Sequence, residues 1–247
     1  MFSRFFASQV QPNPNKEPPT LKEFEHKMEH GTRLADAQVA LRKYHVDGLV
    51  NNGGFAKVFA CSQRCSKKMV VAKISPIKDS SREFKTEVAV LCALRHKNIV
   101  HFQEAFVGKK NLWIILEKMD GDLRGLGVCG RWGEAYLACA MKQALSALAY
   151  MHEHYLVHCD IKLDNILWDR KGTIKLADFG LCAGITKDFP KITQGRGTYG
   201  YRAPEVIDHL PYDAKVDVWS LGVVLKKAPQ LCSGDAAKRP QQPVLGW

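Results

Sequence analysis

Hydrophobic and polar positions alternate in short runs through the first half of the chain, a pattern typical of β-strands. The apolar runs are bounded by residues such as Gly, Ser, Asn and Lys, which favour turns. Val88, Leu91 and Leu94 instead recur at helical spacing behind Ser80 and Glu83, which predicts one helix capped at Ser80. The pattern therefore predicts a small lobe of one helix and five strands, of which the last four are Phe55–Cys61, Met69–Ile74, Ile99–Phe106 and Leu112–Leu116.

Beyond Asp120 the apolar positions change to helical spacing. One stripe of them predicts a long amphipathic helix with a buried face. Two short apolar runs, Ile166–Trp168 and Thr173–Leu176, enclose a turn with glycine and predict a hairpin. The members of the helical stripe are Leu137, Met141, Ala144, Leu145, Leu148 and Met151.

The first 44 residues have a different character. Residues 9–19 are rich in Pro, Gln and Asn, which predicts a flexible tail. Thr20 and Glu23 form a capping-box pattern, which predicts a helix running toward Tyr44. These changes divide the chain into an N-terminal extension (1–44), a β-rich region (45–119), a helical region (120–225) and a C-terminal tail (226–247).

Composition and charge narrow the classes of function. The 247 residues, 46% hydrophobic and 25% charged, suit one large globular domain or two small ones. No apolar stretch approaches the roughly 18 residues of a membrane span, so we expect no membrane insertion. The net charge is +11, but Lys and Arg are spread along the chain, and we expect no nucleic-acid partner. The eight cysteines follow no secretory signal, which predicts reduced thiols in the cytoplasm or nucleus.

A segment with two glycines between two predicted strands is the first candidate binding feature. Around Asn51, Gly53 and Phe55, low side-chain bulk would let backbone N–H groups close over phosphate oxygens. A plain hairpin turn explains this segment equally well. On the strand after the predicted Phe55–Cys61 strand, Lys73 is costly to bury unless its ammonium meets anions. Glu87 and nucleotide phosphates are the candidates.

The densest cluster of candidate chemistry lies in residues 158–180. Phosphoryl transfer needs a carboxylate at the attacking hydroxyl, cations on the phosphates and oxygen ligands for Mg²⁺. Asp160 and Lys162 supply the first two of these groups, and Asn165 and Asp178 supply the oxygen ligands. The predicted hairpin would bring Asn165 and Asp178 to the same end, where they can share metal ions.

From about Tyr44 to Leu225 the chain resembles a eukaryotic protein kinase of the serine/threonine type. The resemblance implies an α+β, bilobal fold with a small β-rich N-terminal lobe and a mainly helical C-terminal lobe. It also implies ATP and Mg²⁺ as ligands and the Ser or Thr hydroxyls of proteins as acceptors. The motifs, all in family order, are Lys73, Glu87, His158-Cys159-Asp160, Asn165, Asp178-Phe179-Gly180, Ala203-Pro204-Glu205 and Asp217 to Gly222.

The resemblance assigns a role to each catalytic candidate. Lys73 would hold the α- and β-phosphates, oriented by an ion pair with Glu87. Asp160 would accept the proton of the substrate hydroxyl, and Lys162 would steady the γ-phosphate. The magnesium ions would be bound by Asn165 and Asp178.

The resemblance also implies a nucleotide pocket. The adenine edge would meet backbone groups of Glu117 and Met119 beneath Leu116, and apolar side chains would enclose the ring. Besides Lys73 and Asp178, the implied nucleotide-binding residues are Asn51, Gly53, Phe55, Val58, Ala72, Leu116, Glu117, Met119 and Leu167.

The expected acceptor class follows from the same resemblance. Lys162, two residues past Asp160, and Thr198, shortly before Ala203, match the serine/threonine pattern. Thr198 would form hydrogen bonds near Asp160 and Lys162.

The chain departs from the family pattern at three places. Asn51 and Ala56 stand where the nucleotide loop usually has glycine. Cys159 replaces the Arg that usually precedes the catalytic Asp, so the chain resembles a non-RD kinase. The C-terminal lobe is expected to be shortened after Leu225, although Arg239 stands in a late family-like motif. An internal deletion and a frame-shifted tail both explain that ending.

A shortened lobe would expose apolar side chains of its central helix. Each is worth about 1.5–3 kcal/mol when buried, against a typical net stability of about 5–15 kcal/mol. We therefore expect a chain that is marginally stable, prone to aggregation or dependent on a chaperone or an activating partner. The alternative function is a catalytically impaired, kinase-like nucleotide-binding or scaffold protein. The side chains expected to be exposed are Val218, Leu221, Val224 and Leu225.

Overall fold

A six-stranded sheet forms the first lobe. The computed structural model describes residues 35–36, 40, 42–52, 56–108, 110–128, 133–186 and 191–233. The strand order is β1-β5-β6-β4-β3-β2, with β1 parallel to β5 and the other pairs antiparallel. The strands are β1 (Ala35–Asp36), β2 (Tyr44–Asn52), β3 (Lys57–Gln63), β4 (Met69–Pro76), β5 (Phe102–Val107) and β6 (Asn111–Glu117).

Most of the predicted strands are confirmed, and the differences lie at their ends. The strand predicted from Ile99 begins at Phe102, because Ile99 instead forms an isolated bridge with Leu176. The short β1 adds a sixth strand, which no hydrophobic run in the sequence predicted. The predicted tail over 9–19 and most of the predicted helix over 20–44 lie outside the described residues.

The helix of the first lobe, α1 (Ile77–Ala93), begins four residues earlier than predicted. The prediction of a cap at Ser80 is wrong, because the chain passes directly from β4 into the helix. Pro76 holds the extended conformation that precedes the first turn. One face of the helix packs into the core, and Val88 and Leu91 are almost completely buried. This packing carries Glu87 into the interior.

The second lobe is mainly helical. Its two small sheets have the orders β10-β9-β7 and β11-β8, and a 3-10 turn covers Leu163–Asn165. The predicted hairpin is confirmed as the antiparallel pair of β9 and β10. The elements are β7 (Gly121–Asp122), α2 (Leu123–Val128), α3 (Glu134–Glu153), β8 (Leu156–Val157), β9 (Ile166–Trp168), β10 (Ile174–Leu176), β11 (Ala183–Gly184), α4 (Pro204–Ile207) and α5 (Lys215–Ser233).

The amphipathic stripe corresponds to α3. Its face is buried at Leu137, Met141, Ala144, Leu148 and Met151, as predicted. Leu145 was wrongly included, since its side chain is 45% exposed. The buried positions also include two alanines, which complete an i, i+3, i+4 pattern along one face of the helix. Leu145 lies beside that buried face.

The two lobes share one hydrophobic core. Buried residues of α1 and β6 belong to the same cluster as those of α3, β9 and β10. Backbone hydrogen bonds reinforce this continuity, because the Val100 N–H donates to Leu176 O and the Leu176 N–H donates to Asn98 O, both at 2.9 Å. The bilobal α+β fold expected from the sequence is thus confirmed. Among the described residues, no helix combines the length and apolar character needed to span a membrane.

Helix α5 is only partly exposed, which corrects the sequence expectation. Leu221 and Val224 are buried, at 4% and 0% exposure, because they face the core of the second lobe. Val218 and Leu225 are about half exposed, as expected, and Trp219 shares that outer face at 48%. The apolar surface open to water is therefore smaller than the sequence suggested.

Asp217 at the start of α5 holds the loop that follows β8. Its carboxylate accepts hydrogen bonds from the backbone N–H of His158 at 2.8 Å and of Cys159 at 2.9 Å. His152 Nε2 lies 2.9 Å from the same carboxylate. Because Asp217 is fully buried, its charge depends on such contacts for compensation. The loop and α5 are thereby fixed to each other.

We expect Asp217→Ala to lower the free energy of unfolding by about 3–5 kcal/mol. The substitution leaves two buried N–H groups without acceptors, which is costly in a dry interior. Denaturant unfolding measures the change. Asp208→Ala, at an exposed position, is the matched control and should change stability by less than about 0.5 kcal/mol. Equal effects of the two substitutions would contradict this role of Asp217.

Candidate active site

Lys73 lies where the two lobes meet. Its Nζ is 2.6 Å from Glu87 Oε2 on α1 and 2.7 Å from Asp178 Oδ1 in the segment after β10. The ion pair predicted between Lys73 and Glu87 is therefore formed, and a second carboxylate joins it. The Lys73 and Glu87 side chains are only 18% and 3% exposed, whereas that of Asp178 is 43% exposed. Asp178 thus presents its free side to solvent or to a ligand.

The electrostatics of this triad follow from its burial. Burial disfavours the charge of Lys73, but the two carboxylates outweigh it and raise the pKa of the lysine. The ammonium lowers the pKa of Asp178 to about 2. Burial raises the pKa of Glu87, against the opposing effect of Lys73. Lys73 and Asp178 are consequently charged at neutral pH, as phosphate and metal binding require.

Asp160 is the centre of a second cluster. It is 5% exposed, and its Oδ2 accepts hydrogen bonds from Lys162 Nζ at 2.7 Å and from Asn165 Nδ2 at 3.1 Å. Its Oδ1 accepts from the Thr198 N–H at 2.8 Å and the Thr198 hydroxyl at 2.7 Å. Lys162 also donates to Thr198 Oγ1 at 2.9 Å. The residues that the sequence singled out around Asp160 are therefore in direct contact with it.

Backbone conformation makes this cluster possible. Cys159 has a φ of 67°, and this left-handed residue turns the chain between His158 and Asp160. Gly197 has a φ of 90° and passes so close to the loop that a Cβ would lie 2.2 Å from Cys159 O. Only glycine fits there, and its close approach brings Thr198 onto Asp160.

The hairpin places the two predicted metal ligands at the same end. The Ala177 N–H donates to Asn165 O at 2.9 Å, which fixes the segment of Asp178 beside that of Asn165. Asn165 Nδ2 donates hydrogen bonds to the backbone carbonyl and the carboxylate of Asp160. The amide is therefore oriented with its oxygen turned away from that carboxylate. One amide oxygen and one ionised carboxylate are hard ligands of the kind that Mg²⁺ prefers. The residues present thus fit the ion implied by the resemblance.

The residues predicted to surround adenine differ in their exposure and in the contacts that they already make. Leu116 is buried, while Val58, Glu117, Met119 and Leu167 are partly exposed. The Glu117 carboxylate is already engaged, since it accepts from Lys175 Nζ and from the His101 N–H, both at 2.6 Å. Asn51 lies near the end of β2 opposite Val58, and Gly53 and Phe55 lie outside the described residues.

Ala72 is a wrong choice for the nucleotide pocket. Successive side chains in a strand point to opposite faces, so Ala72 lies across the sheet from Lys73. It packs with Val70 and Ile115 in a separate cluster on that far face. Val71, two residues before Lys73 and paired with Leu116, shares the lysine's face. Counting back by two from Lys73 would have found it in the sequence.

The segment after Asp178 is held without the arginine that Cys159 replaces. Arg196 Nη1 donates to the carbonyls of Leu181 and Cys182, each at 3.1 Å. Ile192 and Tyr212 exchange backbone hydrogen bonds at 2.7 and 3.0 Å. These contacts anchor the segment at both of its described ends.

The comparisons with known proteins agree with this geometry. The protein kinase domain family matches residues 44–233, and the chain belongs to this family. The matched range includes both clusters, the Lys73 triad and the surroundings of Asp160.

Several similar proteins are named as serine/threonine kinases. The chain is 36% identical to serine/threonine-protein kinase PAK mbt of Drosophila melanogaster over 168 residues, which cover 67% of this chain and 26% of the relative. It is 33% identical to serine/threonine-protein kinase 36 of Pongo abelii over 190 residues, 75% of this chain and 14% of the relative. Identity to serine/threonine-protein kinase pak-2 of Caenorhabditis elegans is 31% over 237 residues, 90% of this chain and 45% of the relative. The chain thus spans less than half the length of each of these proteins.

We expect the stability cost of Lys73→Met to increase with pH. Without the lysine, the pKa of buried Glu87 rises further above its unfolded value. A carboxyl with a raised folded pKa adds stability at low pH and loses it as the pH rises through that pKa. The deficit relative to wild type should be smallest near about pH 4. Toward pH 7 it should grow by about 1.4 kcal/mol for each further unit of pKa.

Denaturant unfolding across this pH range tests the expectation. The Glu87→Gln background is the control, because the cost of adding Lys73→Met there should vary less with pH above about 4 than it does beside Glu87. A constant deficit in the single Lys73→Met variant would show that Glu87 does not titrate as described.

Gly197→Ala should lower the free energy of unfolding by about 2–5 kcal/mol, because a left-handed alanine and a collision with Cys159 O combine. Gly222→Ala is the matched control, since nothing lies within 4 Å of its added methyl group. In α5 that alanine should be neutral or stabilise by up to about 1 kcal/mol. Similar unfolding midpoints for the two variants would argue against the close approach of Gly197.

Proposed function

We propose that the chain transfers the γ-phosphoryl group of ATP to Ser or Thr hydroxyls of proteins, with Mg²⁺ as cofactor. The observation that carries the proposal is the convergence of two preformed clusters. Lys73 with Asp178 supplies a cation and an ionised metal ligand. Asp160 with Lys162 supplies a base and a second cation, joined by hydrogen bonds. Phosphoryl transfer depends on this kind of positioning and charge neutralisation.

In the proposed reaction the substrate hydroxyl oxygen attacks the γ-phosphorus, and the bond from that phosphorus to the bridging oxygen breaks to release ADP. Asp160 accepts the hydroxyl proton, held in place by Asn165 and Thr198. Lys162 and Lys73 neutralise charge on the phosphates. Asn165 and Asp178 would hold Mg²⁺, which neutralises charge on the phosphate oxygens when bound.

The serine/threonine class rests on Lys162 and Thr198. Both contact Asp160, so the acceptor side of the carboxylate is shaped by an ammonium and a hydroxyl. The names of the similar proteins support the same class. We expect the substrates to be proteins of the cytoplasm or nucleus.

A second candidate function is that of a kinase-like nucleotide-binding or scaffold protein with little turnover. The apolar outer face of α5 favours it, because Val218, Trp219 and Leu225 are each about half exposed. Such a face suits a partner or a chaperone that covers apolar surface. Nucleotide binding without transfer is its signature.

Asp160→Asn should reduce phosphotransfer by about 10²–10⁴-fold, the usual contribution of a general base. Binding of ATP should stay within about twofold of wild type, because Asp160 contacts neither Lys73 nor Asp178 and an asparagine keeps an acceptor oxygen for Lys162. The measurement is transfer of labelled phosphate from ATP with Mg²⁺ to a generic basic protein, together with calorimetry of ATP binding.

Asp208→Asn, at an exposed site, should retain full activity and serves as the matched control. Undiminished Mg²⁺-dependent transfer by Asp160→Asn would overturn the proposed role of Asp160. Binding of ATP by wild type without any transfer would favour the second candidate function.

A further inference from the structure

A cleft beside the Glu117 segment gathers basic side chains from distant parts of the sequence. Its volume is about 510 Å³, and its walls come from the start of β4, the loop after α1, the end of β6 and β10. Ile99 and Val100, both buried, form part of its floor. The lining includes neither Lys73, Asp160 nor Asp178, so the cleft is distinct from those two clusters and shares only Glu117 with the predicted nucleotide pocket.

The charge of the cleft is strongly unbalanced. Among the described residues, five lysine or arginine side chains line it against a single carboxylate, that of Glu117. Glu117 is already satisfied by Lys175 Nζ and the His101 N–H. The remaining cations are Lys68, Arg95, Lys97 and Lys118.

Most of these cations are available to a ligand. Arg95 donates from Nη1 to the carbonyls of Leu91 and Leu94, which leaves its charge uncompensated. Lys68, Lys97 and Lys118 are exposed, and in the described part of the chain no carboxylate pairs with them. Uncompensated cations around one concave surface create a positive potential that attracts anions.

The same positive charges affect the pKa values of two histidines in the lining of the cleft. Burial lowers the pKa of His96, and the charge of Lys97 lowers it further. Burial also lowers the pKa of His101, with additional contributions from Arg95, Lys175 and Lys68 that exceed the opposing one of Glu117. Both rings therefore stay neutral at physiological pH, and the positive charge of the cleft comes from its lysines and Arg95.

We propose that this cleft binds a small molecule carrying several phosphate groups. Its volume lies in the range of small-molecule pockets, about 300–1,000 Å³. The lysines and Arg95 match phosphate oxygens, which accept strong charge-assisted hydrogen bonds. The buried apolar floor excludes water beneath them and strengthens those bonds. The proposal goes beyond phosphoryl transfer and does not depend on it.

Calorimetric titration with inorganic tripolyphosphate tests the proposal on the whole chain. Lys68→Gln/Lys97→Gln should weaken binding at least about tenfold, because each lost charge-assisted hydrogen bond is worth about that factor. The affinity of wild type should also fall more steeply with salt than that of the double variant. Lys142→Gln, an exposed lysine of α3 outside the cleft, is the control and should bind like wild type within about twofold.

Three outcomes would overturn the proposal. The first is that wild type binds no tripolyphosphate at physiological salt, which would contradict anion binding in the cleft. Equal affinity of wild type and the Lys68→Gln/Lys97→Gln variant would place the anion elsewhere. A single-stranded oligonucleotide that binds at the same lysines while tripolyphosphate does not would show that the cleft serves a nucleic acid instead.

Discussion

The contact of one ammonium with two carboxylates is the constraint on which the proposed active site depends. Lys73 lies on β4, Glu87 on α1 and Asp178 in the segment between β10 and β11 of the second lobe. A buried lysine is costly unless anions surround it, so the lobes must bring both carboxylates to it. The same requirement sets the relative placement of the sheet, helix α1 and the segment that carries Asp178. The geometry of the proposed phosphate site therefore follows from the cost of burying Lys73 without anions.

The second cluster is fixed by the path of the backbone as well as by side-chain contacts. Asp217 fastens the loop before Asp160 from one side, and the close approach of Gly197 brings Thr198 onto it from the other. Asp160 is therefore positioned before any substrate arrives. Preorganised groups of this kind lose little free energy to reorientation during reaction. The arrangement explains how a chain with Cys159 before Asp160, and no arginine there, still holds the Asp160 carboxylate in place.

The sequence predicted which candidate residues lie close together better than it predicted which apolar side chains are exposed. Motif residues such as Asp160 and Asn165 are close in the chain, so local turns bring them together and their spacing is informative. Ala72 was the wrong choice because side chains alternate between the two faces of a strand, so the residue next to Lys73 lies on the opposite face. Val224 was expected to be exposed and is instead buried, because burial depends on packing partners that periodicity cannot identify.

The basic cleft shows the limit of sequence patterns most clearly. Lys68, Lys97 and Lys175 lie far apart in the chain, and only the fold brings them together. No run of basic residues announced them. Long-range convergence of this kind requires the register of the sheet and the path of the loop after α1, which the sequence alone does not provide.

The most direct test of the account is the dependence of ATP affinity on Mg²⁺, measured by calorimetry. If Asp178 is an ionised metal ligand beside Lys73, Mg²⁺ should strengthen ATP binding to wild type by at least about tenfold. Asp178→Asn should abolish most of that gain while leaving the fold intact. Equal affinities with and without Mg²⁺ in wild type, or an undiminished gain in Asp178→Asn, would contradict the account.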